Sequence, residues 1–365
     1  MDVLLPRKEL ARAIALLKGT GKPPGIEPSV TLALGQEAIT VAASGQEADM
    51  AVSLSVDMPG VPDTGANTTV PLAPLDALLK KFTGDMVTLN LAERTKLKLF
   101  CGSASAELTT QSQPFPMLAD MPSGVAWVRV AAPDLANALR ASYAAGTQAY
   151  QQALNGTQIE LHEGALKVAS TDGFRAAWSR CSAVYTNAPE GIALLTQKGV
   201  ALLRAVSNTP DGEIDLTWDS KGFYVIAGAI RMRLPVLDGR LPNIDNVIPK
   251  VLVATVEVNR RAIVEAISRA RILSDPANFR VDLTVGNNLL RIVGSGLHGL
   301  SDETLAATTT GDELTFAING KILTDALAAD PQAELTTWRL SGTVTPMFIA
   351  TGSHSALVVP LRVLN

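Results

Sequence analysis

The hydrophobic pattern of this chain is written three times over, and that repetition narrows its fold more than any single motif does. Segments of helical period begin at Pro6 (PRKELARAIALLKG), Ala132 (APDLANALRASYAAG) and Val258 (VNRRAIVEAISRARIL). Their apolar positions, Leu10/Ile14/Leu17, Leu135/Leu139 and Ile263/Ile267/Ala270, fall on one helix face. Each runs into a strand-turn-strand figure: ALGQEAITVAASGQEADMAVSL, ELHEGALKVASTDGFRAAWSR and TVGNNLLRIVGSGLHGLSDETL. The turn glycines Gly45, Gly173 and Gly296 hold equivalent places roughly 120 to 130 residues apart, a period of domain size. A second helix pattern follows in each (PLAPLDALLKKF, LTQKGVALLRAV, INGKILTDALAA), and then paired strands whose alternation marks antiparallel hairpins with one solvated face. The pattern predicts an α+β fold of three repeated domains, 1–122, 123–247 and 248–365, each with two helices and antiparallel sheets. At Ser170-Thr171-Asp172-Gly173 the turn calls for a positive φ at Gly173, with Asp172 as its capping side chain.

With 365 residues and 47% hydrophobic content the chain can bury two or three cores. No basic and apolar leader opens it and no apolar run approaches the ~20 residues of a spanning helix, so the expected location is the cytoplasm, with no membrane partner. Cys101 and Cys181 stand far apart, outside any CxxC or Cys/His cluster, and read as buried, inert thiols. His162, His298 and His354 are isolated from one another and from acidic clusters. LLKGTGKPPG around Lys22 has Leu16 and Pro23 where a phosphate loop needs glycine and Ser or Thr, and Ser295 has its glycines adjacent rather than two residues away as a nucleophile elbow requires. No catalytic residue, no metal site and no cofactor is expected.

Net charge is −4, yet the helix faces opposite the apolar stripes are basic. They carry Arg7, Lys8, Arg12, Lys18, Lys80 and Lys81 in the first repeat, Arg140, Lys198 and Arg204 in the second, and Arg260, Arg261, Arg269, Arg271 and Lys321 in the third. Acidic residues such as Glu37, Glu47, Glu160, Asp302 and Glu303 lie in strands and loops. Lysine and arginine without interleaved aromatics suit contact with phosphates, which is independent of base sequence and permits sliding along duplex DNA.

Five motifs, in this order, carry a family resemblance: LNG (Leu154 to Gly156), STDGFR (Ser170 to Arg175), LDGRLPNIDNVIPK (Leu237 to Lys250), RARILSD (Arg269 to Asp275) and VVPLR (Val358 to Arg362). With the triple repeat they resemble the bacterial DNA polymerase III beta subunit family, the sliding clamps. The resemblance implies a processivity factor without catalysis, a head-to-tail homodimer closing six domains into a ring around double-stranded DNA without sequence preference. The DNA-facing set would be Arg12, Lys22, Lys80, Arg140, Gln151, Gln152, Lys198, Arg204, Arg260, Arg269 and Lys321, and its setting the nucleoid. Ile272 and Leu273 would meet the other chain near Leu108.

The resemblance also implies a hydrophobic pocket where the replicative DNA polymerase, the clamp loader and repair proteins dock short linear peptides. Its walls would be Leu154, Thr171, Gly173, Phe174, Arg175, Ala176, Pro242, Val247, Leu357 and Val359, with Ile322, Val344 and Pro346 at a neighbouring subsite. Phe174 and Ala176 stand where the family commonly has His and Leu, and the tail Val359-Pro360-Leu361-Arg362 continues through Val363-Leu364-Asn365, so a reshaped pocket is expected. A clamp-fold paralogue acting as an adaptor or inhibitor, without being loaded on DNA, is the alternative.

Overall fold

The structure, a computed structural model, describes residues 2–23, 25–56, 67–93, 95–111, 121–185, 191–208 and 212–362; the tail residues Val363 to Asn365 lie outside them. One element order recurs: strand, helix, three strands, then strand, helix, three strands. The first repeat comprises β1 (Asp2–Pro6), α1 (Arg7–Leu17), β2 (Ser29–Leu34), β3 (Ala38–Ser44), β4 (Asp49–Ser55), β5 (Asn67–Pro71), α2 (Leu72–Lys81), β6 (Met86–Asn90), β7 (Lys96–Cys101) and β8 (Ala104–Thr109). The second comprises β9 (Val128–Ala131), α3 (Ala132–Ala138), β10 (Gly156–His162), β11 (Ala165–Thr171), β12 (Arg175–Ser182), β13 (Ile192–Thr196), α4 (Gln197–Val206), β14 (Glu213–Asp219), β15 (Gly222–Ala227) and β16 (Ile230–Leu234). The third comprises β17 (Ala254–Asn259), α5 (Arg260–Leu273), β18 (Arg280–Gly286), β19 (Leu289–Gly296), β20 (Gly299–Ala306), β21 (Thr308–Gly311), β22 (Leu314–Asn319), α6 (Gly320–Leu327), β23 (Leu335–Leu340), β24 (Met347–Thr351) and β25 (His354–Val358), with β21 as its one added strand. The α+β class and the antiparallel sheets follow the sequence pattern.

Contacts gather the chain into two compact units, 1–136 with 183–236 and 137–182 with 237–365. In the first, antiparallel strands run β1-β6-β7-β8 in one sheet and β5-β2-β3-β4-β16-β15-β14-β9 in another. Helix α1 buries Leu10, Ala13, Ile14 and Leu17 and packs against α2, which buries Leu72, Leu75 and Leu79. In the second unit one sheet runs β20-β19-β18-β22 and another contains the order β10-β11-β12-β25-β24-β23-β17-β21. There α5 lays Ile263, Ala266, Ile267 and Ala270 against β19 and β20. Strand β18 alternates Val281, Leu283 and Val285 inward with half-exposed residues between, the half-buried pattern its sequence shows.

Helix ends explain several polar residues. Asn259 accepts the Ala262 amide of α5 at 2.9 Å, Asn319 accepts Lys321 and Ile322 of α6, and Thr196 accepts Gly199 of α4 at 3.0 Å. The first residue of α1, Arg7, donates to the carbonyls of Leu79 and Gly84 at the end of α2. Arg260, the first residue of α5, does the same for Pro331 and Ala333 beyond α6. Among the carbonyls that a helix end leaves open, Arg7 reaches Leu79 of α2 at 2.9 Å and Arg260 reaches Leu327 of α6 at 3.5 Å. The third predicted helix is shorter than its pattern: α3 stops at Ala138 and tightens into a 3-10 helix over Leu139–Ala144. Three residues per turn put Ala141 and Ala144 on one buried face, small enough to lie close on β11 and β12. Gly173 has φ 91°, as its turn requires. Gly45 and Gly296 serve close approach instead, since a Cβ on either would sit 2.3 Å from the carbonyl oxygen of Thr20 or Leu273. Cys101 and Cys181 are both buried thiols.

His354 of β25 is buried, with Nδ1 unpartnered among the described residues and Nε2 3.4 Å from Asn137 Oδ1. Burial holds its pKa below the ordinary 6.5, outweighing Asp330, which pushes the other way, while Arg140 adds to the depression. The unfolded chain therefore takes up the proton first, and the stability this neutral ring contributes is complete above pH 6.5 and lost as pH falls through the lower folded value. The unfolding midpoint is expected to drop between pH 7 and 5, and His354→Gln to flatten that slope; an unchanged slope in the variant would remove His354 from the account.

Candidate functional site

The turn between β11 and β12 is closed by its own side chains. The Asp172 amide donates to the Arg175 carbonyl at 3.2 Å and the Gly173 amide to Thr171 Oγ1 at 3.1 Å. The Phe174 and Arg175 amides both donate to Asp172 Oδ1, at 2.9 and 3.0 Å. Asp172 is therefore the capping residue of the turn. With the backbone held from within, the Phe174 side chain projects into solvent, 70% exposed.

Arg175 carries this turn into the third repeat's elements. Its Nε donates to Asp172 Oδ2 at 3.0 Å and its Nη1 to Asp325 Oδ2 of α6 at 2.9 Å, while its guanidinium lies 5.6 Å from the ring centroid of Tyr143. Burial pushes the Tyr143 phenol up, opposed by the nearby Arg175 charge, and its hydroxyl has no hydrogen-bond partner among the described residues. The edge of β12 pairs with β25 in the register Arg175↔Val358 and Ala176↔Leu357, and the Val359 amide continues the ladder to the Phe174 carbonyl at 3.1 Å. One hydrogen-bonded frame thus holds Thr171, Gly173, Phe174, Arg175, Ala176, Leu357 and Val359 together. Thr171, Ala176 and Leu357 are buried in this frame, whereas Phe174 and Val359 are exposed on it.

The remaining predicted wall residues sit on four further segments. Leu154 belongs to a 3-10 turn, Gln152–Asn155, packed on β10 and β11. Ile322 lies in the first turn of α6, one helical turn before Asp325. Val344, exposed, and Pro346 lead into β24, whose Met347 pairs with Val358. Pro242 and the exposed Val247 lie on the segment before β17, where a 3-10 helix covers Ile244–Val247.

The basic residues fall into distinct groups. Arg12 and Lys22 are exposed, as are Gln151 and Gln152. Lys80 shares the buried carboxylate of Asp76 with Lys18, at 2.9 and 2.6 Å; first Lys18 and then Lys80 hold that carboxyl below its ordinary range. Lys198 pairs with Glu47, Arg269 with Glu303 and Lys321 with Asp325. Arg140 and Arg204 are half-buried. Arg260 is half-buried, its guanidinium turned to the backbone carbonyls of Ala333 and Pro331 beyond α6. That use was hidden in the sequence because the carbonyls come from residues more than 70 positions away.

Strands β8 and β20 end their sheets. Leu108 of β8 points inward and is buried; Ile272, at the end of α5, is 78% exposed and lines with Leu273, Phe279 and Leu297 a hollow of about 730 Å³. Among the described residues no three His, Cys, Asp or Glu side chains gather as a metal would require, and no helix is long and apolar enough to cross a membrane. Sequence reasoning passed over Asp325, Tyr143 and Lys167; each looks like an ordinary helix or strand residue until elements far apart in the chain meet.

Models of the DNA polymerase III beta subunit match the chain over most of its length, the central domain over residues 132–243 and the C-terminal domain over 245–358. The chain is similar to the beta sliding clamp of Pseudomonas aeruginosa, 24% identical over 367 residues that cover 98% of this chain and 95% of that one. Its fold is that of the solved DNA polymerase III subunit beta from the same organism, with a TM-score of 0.90 at 22% identity over the whole of both chains. A sliding clamp of that organism bound to griselimycin superposes with a TM-score of 0.91, also at 22% identity and full coverage.

Asp172→Ala is expected to accelerate amide hydrogen exchange at Phe174 and Arg175 by at least about tenfold, since two bonds to a carboxylate are lost, each ordinarily contributing more than about 1.4 kcal/mol. Exchange in β10 should not change. Unaltered rates at Phe174 and Arg175 would mean that Asp172 does not hold the turn.

Proposed function

The chain belongs to the DNA polymerase III beta subunit family, and from that premise we propose how it works. It is a sliding clamp, a processivity factor without catalysis. Two copies join head to tail, each contributing domains 1–122, 123–247 and 248–365, and close a ring around duplex DNA in the cytoplasm, at the nucleoid. What supports closure is the pair of sheet ends, β8 and β20, with the exposed Ile272 and the half-buried Leu273 beside one of them and Leu108 in the other. An unpaired strand edge next to exposed apolar side chains is a joint waiting for its complement.

DNA is held by enclosure rather than by grip. Arg12, Lys22, Lys80, Arg140, Gln151, Gln152, Lys198, Arg204, Arg269 and Lys321 face the duplex, with Arg260 set apart by its bonds to carbonyls. Four of the charges already have carboxylate partners, Lys80, Lys198, Arg269 and Lys321. At these four a phosphate must compete with the carboxylate already in place, which weakens each contact, and all phosphate contacts weaken further with salt.

The single observation that carries the docking function is the exposed Phe174 on a turn whose backbone is fixed from within. Around it the pocket takes apolar anchors of short linear peptides from the replicative polymerase, the clamp loader and repair proteins. Tethering raises the local concentration of each partner at the DNA without requiring high affinity for any one peptide. A related clamp has been solved bound to griselimycin, and in this chain the apolar wall around Phe174 is where that ligand would bind.

Loaded onto nicked circular DNA by a competent loader, the protein is expected to stay on circles and to run off after one restriction cut. Equal retention on both forms would replace enclosure by surface binding, and failure to load would favour an unloaded adaptor. Phe174→Asp should weaken griselimycin binding by at least about 30-fold, the scale of a hot-spot anchor, and leave retention on circles unchanged. Undiminished binding by the variant would sink the pocket assignment.

A further inference from the structure

On β10 and β11, register places Gln158, Glu160, Lys167 and Ala169 on one face, with Glu160 directly opposite Lys167. An alternating strand would leave this face wet, yet Lys167 is only 7% exposed because residues 240–245 lie over it. An ammonium group is costly to bury unless it is paired. Here its Nζ stands 3.9 Å from Glu160 and 3.8 Å from Asp245 of the covering segment. Gln158 completes the connection: its Oε1 accepts the Leu241 amide at 3.0 Å and its Nε2 donates to Glu160 at 3.1 Å. A chain of polar contacts therefore starts on the covering segment at Leu241, crosses both strands, and returns to the segment at Asp245.

Two apolar side chains, Leu241 and Ile244, also dock the segment. They do not fill the space, for a hollow of about 390 Å³ remains between segment and strands, lined by residues of both. Apolar burial is non-directional and tolerates sliding; a charged network in low dielectric fixes position. Because Lys167 faces two carboxylates, removing it would do more than cancel an attraction. Glu160 and Asp245 would then repel each other across the joint between strand and segment.

We propose that Lys167 is a positioning residue for the peptide-docking pocket, holding the segment that carries Pro242 and Val247 in the place where those side chains form a wall. The proposal rests on the docking reading given above, which assigns Pro242 and Val247 to the pocket. Release of the segment lowers the fraction of molecules with a complete wall, and apparent affinity falls by that fraction.

The test uses the full chain and a fluorescein-labelled linear hexapeptide with leucine and phenylalanine anchors, read by anisotropy beside Phe174→Asp. Lys167→Met is expected to raise Kd about tenfold, the effect of a wall formed in one molecule in ten. Lys167→Arg should stay within about twofold, and adding Asp245→Asn to Lys167→Met should recover most of the loss by removing the repulsion. A purely structural role would lower the melting temperature without this recovery. If Lys167→Met does not fold, Asp245→Asn alone, at an exposed position, is expected to raise Kd about threefold, the smaller effect of losing one of two partners. Wild-type Kd in folded Lys167→Met, or in Asp245→Asn where that variant stands in for it, overturns the Lys167 proposal while Phe174→Asp still abolishes binding. Wild-type Kd in Phe174→Asp overturns the pocket reading itself.

Discussion

Everything in this structure depends on what happens to the backbone groups at the edges of its sheets. A strand buried on one face still presents a row of N–H and C=O groups sideways, and these must find partners or water. The repeats meet that requirement by sharing: β4 of the first pairs with β16 of the second, and β12 of the second with β25 of the third. The first of these joints is reinforced by the Arg233–Asp49 ion pair, the second by Ser179 donating to the Ser353 carbonyl. The exposed Phe174 stands immediately before one shared edge, and its position follows from that ladder.

The charge distribution obeys a similar economy. A net charge of −4 spread over a chain with basic helices leaves many carboxylates near the lysines and arginines. Asp76 holds two lysines at once, and Asp325 receives both Arg175 and Lys321. The more exposed pairs, such as Lys321 with Asp325, contribute little to stability. They temper the positive field along the helices, and in Asp325 the Arg175 of the Phe174 turn and a helix cation share one oxygen.

Much of this was legible in the sequence because it is local. Helix periodicity, the hairpin turns and the positive φ of Gly173 are all set by residues within a few positions of one another. The exposed aromatic of STDGFR could be read the same way. What was not legible depends on distance along the chain. Lys167 occupies an outward phase of its strand, and only the return of residues 240–245 buries it. Arg260 reads as a surface cation until the end of α6 arrives beside it. The early end of α3 reflects the close fit of Ala141 and Ala144 on β11 and β12, which helical periodicity cannot encode.

In the turn that bears Phe174, the amides of Asp172, Gly173, Phe174 and Arg175 are all consumed by Thr171, Asp172 and the Arg175 carbonyl, and the Phe174 carbonyl is taken by Val359. None of these four amides is left over for a further strand to accept from. What the turn presents outward is a side chain, the exposed ring of Phe174, on a backbone whose amides are already engaged.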